Sequence, residues 1–312
     1  MANKLQVIVI AGPTASGKTA LSIELAKKIN GEIISCDSMQ IYKYMDIGTA
    51  KVTENEKSGI CHYLIDIIEP NQRYSVSNYK NDAEKAIEEI LNKGKTPIIV
   101  GGTGLYIDSL IYGIEYPEII LDEEYREYLN KIAETEEGLE KLYNEAKKID
   151  EEAMKKISQN DKKRILRILE IYKATGKNKT EQEIESRKNE VKYDYKVFAL
   201  NMDRELLYSR INKRVDIMFE KGLIDEVEKI YKKYSSFPTA MQGLGYKEVV
   251  EYLDNKVSKE EMVEKIKQET RRYAKRQLTW FRKNKETVWL DATNDIQNNI
   301  KIILEVCSGE SK

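Results

Sequence analysis

Apolar runs of strand length alternate along this chain with apolar stripes of helical period, and the alternation predicts a parallel sheet flanked by helices. LQVIVIA (5–11) is a continuous apolar run, the pattern of a strand buried on both faces, and Leu21, Leu25 and Ile29 follow it at helical spacing. GEIISC (31–36) reads as a second short strand, the apolar part of TPIIVGGTGLY (96–106) as a third, YKVFALNM (195–202) as a fourth and TVWLDA (287–292) as a last edge strand. Residues 75–93 alternate polar and apolar at helical period, with Ser77 or Asn78 as cap and Gly94 as stop, which supplies a crossover helix. Residues 41–51 (IYKYMDIGTAK) mix polarities around Gly48 and read as a loop or short helix.

Between 115 and 156 the pattern changes to fourteen acidic and seven basic residues in long helical stretches such as EEYREYLNKIAE and EGLEKLYNEAKKI, mostly a solvated face. This predicts a helical insertion. In 160–172 (NDKKRILRILEIY) an apolar stripe of Ile165, Ile168, Leu169 and Tyr172 carries Lys163, Arg164 and Arg167 at one end. TGKNKTEQEIESRK (175–188) is polar and weakly patterned, expected as a flexible linker back to the core. The fold expected is therefore an α/β core with a parallel sheet flanked by helices, of the P-loop NTPase type because GPTASGKT (12–19) joins the first strand to its helix. Residues 1–113 form its first part and 191–312 its second, and 114–190 are the helical insertion.

Composition narrows the function classes. A net charge of −1 over 312 residues makes no global case for nucleic acid, so that case must rest on local clusters. Cys36, Cys61 and Cys307 form no C-x-x-C pair, which argues against structural zinc and for a reducing compartment. The single histidine, His62, rules out a mechanism that needs two imidazoles, and its neighbours Tyr63, Leu64 and Ile65 favour a packing role. With no signal peptide or apolar span, a soluble cytoplasmic protein is expected, with no membrane partner.

The candidate chemistry starts at the loop after the first strand. Gly12, Pro13, Thr14, Ala15, Ser16, Gly17, Lys18 and Thr19 match G-x-x-x-x-G-K-[ST] between a strand and a helix. Backbone N–H groups and the helix N-terminus favour an anion, Lys18 adds a point charge, and the Thr19 hydroxyl suits a phosphate-bound Mg²⁺. The guest is a polyphosphate or diphosphate, and the loop alone permits ATP. Asp37 follows the second strand directly, so it either lies at the ligand-binding sheet edge or caps the next helix. Thr103 would share that edge after Gly101 and Gly102, although a glycine pair by itself is only a tight turn. The same position lacks the acidic Mg²⁺ ligand of many nucleotide hydrolases, which counts against a motor-type ATPase.

Asp203 is expected to cap the helix that begins RELLYSRINKRVDIMFEKG, on which Arg210 and Arg214 lie one turn apart and could both reach an anion. RRYAKRQLTWFRKNK (271–285) has seven basic residues and no acidic one. On a helix Arg271, Lys275 and Arg282 align beside Arg272, Arg276 and Lys283, with Ala274, Leu278 and Phe281 on another side. Such a strip suits a nucleic-acid backbone or is simply a solvated face.

The ordered set GPTASGKT, ISCDSMQIY, DIGTAK, GGTGLY, NDKKRILRILE, RVDIMFEKGLIDEV, MQGLGYKE and RYAKRQLTWFR resembles the tRNA dimethylallyltransferases, or tRNA isopentenyltransferases, over essentially the whole chain. The resemblance implies transfer of a dimethylallyl group from dimethylallyl diphosphate, with Mg²⁺ as cofactor, to N6 of the adenosine 3′ of the anticodon in tRNAs that read U-initial codons. It makes Asp37 the general base, sets Thr103 beside the reacting amine, and assigns the diphosphate to the loop with Lys18, Thr19 and Arg214. It assigns tRNA contacts to Asp37, Ser38, Met39, Gln40, Thr103, Arg126, Lys163, Arg164, Ile165, Leu166, Arg167, Gln242, Gly243, Gly245, Tyr246, Lys275, Arg276, Gln277 and Arg282. A monomer is expected. Lys163 stands where many relatives carry Gln, and the eukaryotic members' zinc-finger extension has no counterpart, so the form is bacterial-type. A P-loop small-molecule kinase is the rival enzyme, and an RNA-binding module with a vestigial loop the non-enzymatic one.

Overall fold

The computed structural model describes residues 4–116, 122–188 and 190–309. In chain order the elements are β1 (Gln6–Ala11), α1 (Lys18–Ile29), β2 (Gly31–Cys36), α2 (Glu54–Lys57), β3 (His62–Tyr63), α3 (Val76–Asn92), β4 (Thr96–Gly101), α4 (Gly104–Ile111), α5 (Glu123–Ile132), α6 (Glu136–Ile149), α7 (Glu151–Met154), α8 (Lys162–Thr175) and α9 (Lys179–Ser186). They continue with β5 (Asp194–Asn201), α10 (Arg204–Glu220), α11 (Leu223–Lys233), a short 3-10 turn (Ala240–Gln242), α12 (Tyr246–Leu253), α13 (Lys259–Phe281), β6 (Val288–Asp291) and α14 (Ile296–Ser308). The six strands form one parallel sheet in the order β3-β2-β4-β1-β5-β6, the α/β architecture predicted above.

Contacts divide the described chain into two compact units, one running to Ile107 and resuming at Tyr193, the other from Asp108 to Lys192, so the first boundary falls inside α4. In the first unit Ile8, Ile10, Leu21, Leu25, Ile33, Ile98, Phe198, Leu200, Leu290, Ile300 and Ile303 form the sheet core. A second cluster joins Ile41, Tyr42 and Met45 to Val215, Val227, Tyr246, Val249 and Ile266. The second unit packs Leu129, Leu142, Ala146, Met154, Ile165, Leu166, Ile168 and Leu169 around α8. No helix among the described residues is long and apolar enough to cross a membrane.

Several local expectations need correction. β3 is only two residues long, too short for an apolar run to announce it. The cap of α3 is Ser75, in a capping box with Asn78, not Ser77. Residues 41–51 are loop and turns, one of the two forms expected for them, with the N–H groups of Asp46, Ile47 and Gly48 gathered by the Glu226 carboxylate at 3.0, 2.7 and 3.1 Å. In the expected linker α9 is a helix capped by Asn178. Polar contacts hold it in place: Thr180 donates its N–H and hydroxyl to Asp150 at 2.8 and 2.6 Å, and Gln182 donates to the Thr175 hydroxyl at 2.8 Å. Tyr172, assigned to the apolar stripe of α8, is 44% exposed, and Leu166 is buried in its stead.

At the amino-terminal edge of the sheet, buried Glu32 is held by Lys95 at 2.6 Å, by the Tyr63 hydroxyl at 2.8 Å and by Lys93 at 3.5 Å. Burial alone would raise its pKa, but these hydrogen bonds and the Lys93 charge outweigh burial and hold the carboxyl below the usual 4.5. The folded state therefore binds this proton less readily than the unfolded chain does. Its stabilisation is complete above the unfolded value and is lost as pH falls through the folded one. Glu32→Gln is expected to cost about 1–3 kcal/mol at neutral pH, a deficit that shrinks below about pH 4.5 in urea melts.

Candidate active site

Strand register brings distant residues together. β1 and β2 both pair with β4, and Ala11, Gly101 and Cys36 lie in one line across the three strands. The residues that follow, Gly12, Gly102 and Asp37, therefore leave the sheet side by side at its carboxyl edge, with neighbouring strands about 4.8 Å apart.

The phosphate loop leaves β1 at Gly12, whose φ of 143° and close approach to the Leu200 backbone, 3.1 Å from where a Cβ would sit, suit only glycine. Gly17 caps α1 without any side-chain acceptor, so the first N–H groups of that helix stay available to an anion. The Ser16 hydroxyl is buried in the loop without a hydrogen-bond partner. Lys18 Nζ donates to the Gly12 and Pro13 carbonyls at 3.0 and 2.7 Å. Burial and the Arg214 charge push its pKa down to about 7, against the opposing pull of Asp37 and Cys36. Arg214 comes from α10, and burial lowers its pKa too, while the Asp37 and Glu56 charges favour its cationic form. Its guanidinium makes no hydrogen bond or ion pair among the described residues, so five donors are available to a ligand. Arg210, one turn away, is exposed.

Thr19 is exposed at the start of α1, and no group of three or more His, Cys, Asp or Glu among the described residues could form a metal cage. The Thr19 hydroxyl is an oxygen donor of the kind a hard cation takes.

At the next strand end, Asp37 Oδ1 accepts the N–H groups of Met39 and Gln40 at 2.9 and 3.3 Å, while Oδ2 accepts no hydrogen bond among the described residues. No helix follows Asp37, so in place of the expected helix cap it caps a turn at the sheet edge with one oxygen. Thr103 Oγ1 accepts the Ser38 N–H at 3.1 Å, and Thr103 N–H donates to the Cys36 carbonyl at 3.2 Å. Tyr273 of α13 lies near Thr103; burial and the nearby Asp37 charge push its phenol pKa up, so it stays protonated.

The glycine pair after β4 is more than a turn. A Cβ on Gly102 would lie 2.0 Å from Gln277 Nε2, and one on Gly104 would lie 2.4 Å from the Trp280 ring. α13 thus docks on this turn through Tyr273, Gln277 and Trp280, at i, i+4 and i+7 on one helix face. Gln277, expected as an RNA contact, is 5% exposed, with Oε1 accepting from Thr14 N–H and Nε2 donating to the Gly102 carbonyl, both at 3.0 Å. The outer face of α13 exposes Lys275 and Arg276, with Arg282 and Lys283 just beyond it. Arg271 is instead engaged by Asn212 and Glu264, and Arg272 by Glu269, which removes two charges from the predicted strip.

Segments 37–40 and 242–246 are neighbours, since a Cβ on Gly243 would lie 2.8 Å from the Met39 sulfur. Gln242 is exposed, whereas Gly245 and Tyr246 are buried and the Tyr246 hydroxyl donates to Glu226 at 2.6 Å. The Gln40 amide is used internally, accepting from the Ser35 hydroxyl and donating to the Thr49 carbonyl.

Within the second unit, the buried Glu170 carboxylate pairs with Arg126 at 3.5 Å and Arg167 at 3.3 Å, bringing those two guanidinium groups together. Lys163 and Arg164 are exposed, the latter paired with Asp161 at 3.1 Å. Ile165 and Leu166, expected to touch RNA, belong to the apolar core, and packing accounts for them.

A family model described as IPP transferase matches residues 40–284. The tRNA dimethylallyltransferase of Acetivibrio thermocellus is 53% identical over 304 residues, covering 96% of this chain and 97% of its own. The full-length tRNA isopentenylpyrophosphate transferase of Bacillus halodurans has a similar crystal structure, with a TM-score of 0.73 and 42% identity over 98% of this chain and 96% of that one. A eukaryotic dimethylallyltransferase crystallised in snapshots of its action on tRNA has a TM-score of 0.81 and 34% identity, covering 98% of this chain and 80% of its own. On the strength of motifs, fold and these likenesses together, the chain belongs to the tRNA dimethylallyltransferase, or IPP transferase, family.

Proposed function

We propose that this enzyme transfers the dimethylallyl group of dimethylallyl diphosphate to N6 of the adenosine 3′ of the anticodon, in tRNAs that read codons beginning with U. The observation that carries this reading is the spare Asp37 Oδ2 at the same sheet edge as the phosphate loop and the unpaired Arg214. A carboxylate with a free oxygen beside a cationic phosphate cradle suits a reaction that removes a proton from one partner and an anion from the other.

The diphosphate sits on the N–H groups at the start of α1, with Lys18 and Arg214 on its oxygens. The Thr19 hydroxyl would help hold a Mg²⁺ ion, which would supply charge neutralisation for the leaving group. The bond between the allylic carbon and the diphosphate oxygen breaks, N6 bonds to that carbon, and the N6 proton passes to Asp37 Oδ2. Lys18 and Arg214 stabilise the negative charge that grows on the departing diphosphate. Thr103, accepting the Ser38 N–H, holds a hydroxyl beside the amine. The target base leaves its stack to reach the sheet edge, as base-modifying chemistry requires.

The exposed strip of Lys275, Arg276, Arg282 and Lys283 suits the RNA backbone. Lys275→Ala with Arg276→Ala is expected to weaken tRNA binding and to lower the log–log salt slope by about 0.7–0.9 per lost phosphate contact, with little change in prenyl-diphosphate affinity. A salt titration that superimposes on wild type would remove this strip from the interface. The reading as a whole is tested by supplying tRNA with labelled dimethylallyl diphosphate or with labelled ATP. Consumption of the prenyl diphosphate is expected, and turnover of ATP at a comparable rate would make the enzyme a kinase.

A further inference from the structure

Outside the groups assigned above, the most constrained polar side chain at this sheet edge is Gln277. It is buried on α13, 263 residues from the loop it touches, and both ends of its amide are spent on backbone. The peptide unit Pro13–Thr14 is gripped from two sides. Lys18 Nζ holds its carbonyl at 2.7 Å, and Gln277 Oε1 holds its N–H at 3.0 Å. The two grips are not equivalent once a ligand arrives. Phosphate oxygens would compete with that carbonyl for the Lys18 ammonium, whereas Gln277 remains tied to the Gly102 carbonyl through Nε2.

We propose that Gln277 is the positioning residue that keeps the phosphate loop in its anion-binding shape once Lys18 leaves the Pro13 carbonyl. This rests on the diphosphate reading of the loop. The grip also fixes the loop against the turn that carries Thr103, because the amide bridges Thr14 and Gly102. Gly102 is glycine for this reason, since a Cβ there would lie 2.0 Å from Gln277 Nε2. Without the bridge, the Thr14 N–H and the Gly102 carbonyl would each lose a partner in a buried place, and the loop would relax to satisfy them.

The test uses the full chain and inorganic diphosphate with Mg²⁺ as calorimetric probe, beside steady-state kinetics. Gln277→Met keeps the side-chain volume but has no amide. It is expected to weaken diphosphate binding about tenfold and to raise KM for dimethylallyl diphosphate to match, while kcat at saturation and tRNA affinity move less than about threefold. A second pair guards against simple misfolding. Gly102→Ala should be damaging alone, through collision with Nε2. Beside the shorter side chain of Gln277→Ser it should add almost nothing to the loss caused by Gln277→Ser itself. Diphosphate affinity within twofold of wild type in Gln277→Met, or additive losses in the Gly102 and Gln277 pair, would overturn the inference and leave the reaction untouched. Wild-type protein that binds no diphosphate would overturn the reading of the loop, and this inference with it.

Discussion

Replacing Asp37 with asparagine is expected to leave a folded enzyme that binds both substrates and transfers the prenyl group about two to four orders of magnitude more slowly. The choice of asparagine follows from the geometry. Oδ1 caps the turn by accepting from Met39 and Gln40, and the asparagine carbonyl keeps both bonds. Oδ2, the spare acceptor, becomes an amide that cannot take a proton. Asp37→Ala removes cap and base together, so it should match the asparagine variant in rate and fall below it in stability by about 0.5–2 kcal/mol. Single-turnover transfer at saturating tRNA and dimethylallyl diphosphate isolates the chemical step from binding. A near-wild-type rate in Asp37→Asn would leave Asp37 a cap alone and put the base elsewhere.

Lys18→Ala is expected to lower kcat/KM for dimethylallyl diphosphate by roughly two to three orders of magnitude, because ground-state phosphate binding and leaving-group stabilisation both pass through this ammonium. The loss has a titration signature. With the pKa of Lys18 pushed down to about 7 by burial and Arg214, the resting amine is mostly neutral at about pH 8. An arriving diphosphate favours the charged form, so binding takes up a proton there. Calorimetry in buffers of different ionisation enthalpy should detect that uptake in wild type and lose it in Lys18→Ala. Equal proton uptake in both proteins would mean that another group titrates.

Much of this site is legible in the sequence because its parts sit at strand ends. The apolar run of β1 leads straight into Gly12–Thr19, GEIISC leads straight into Asp37, and the IIV run of β4 leads straight into the turn that carries Thr103. One rule, that parallel strands present ligands at their carboxyl edge, assembles all three without further information. What the rule omits is the strand order, and only the observed pairing of β4 with both β1 and β2 makes Asp37 a near neighbour of the loop.

Other features leave no local signal. Tyr273, Gln277 and Trp280 lie on the inner face of a helix whose basic residues dominate its composition, and the glycines that Gln277 and Trp280 meet are more than 170 residues away. Glycines at 102 and 104 read as a turn, although they are spaces that a helix fills. α9 lacks an apolar period because polar bonds to Asp150, Thr175 and the Glu115 carbonyl hold it. Arg271 and Arg272 carry the same charge as Lys275 and Arg276, and only their pairing with Glu264 and Glu269 separates braced side chains from available ones.

The central claim is a covalent outcome on one atom of one nucleoside. tRNA lacking the modification is incubated with the enzyme, Mg²⁺ and dimethylallyl diphosphate, then digested to nucleosides and weighed by mass spectrometry. A single new adenosine is expected, heavier by one dimethylallyl group in place of one hydrogen, fragmenting with that group on the base, absent without enzyme and absent when ATP replaces the prenyl diphosphate. Adenosine of unchanged mass after complete incubation, or a phosphorylated product formed from ATP, would contradict it.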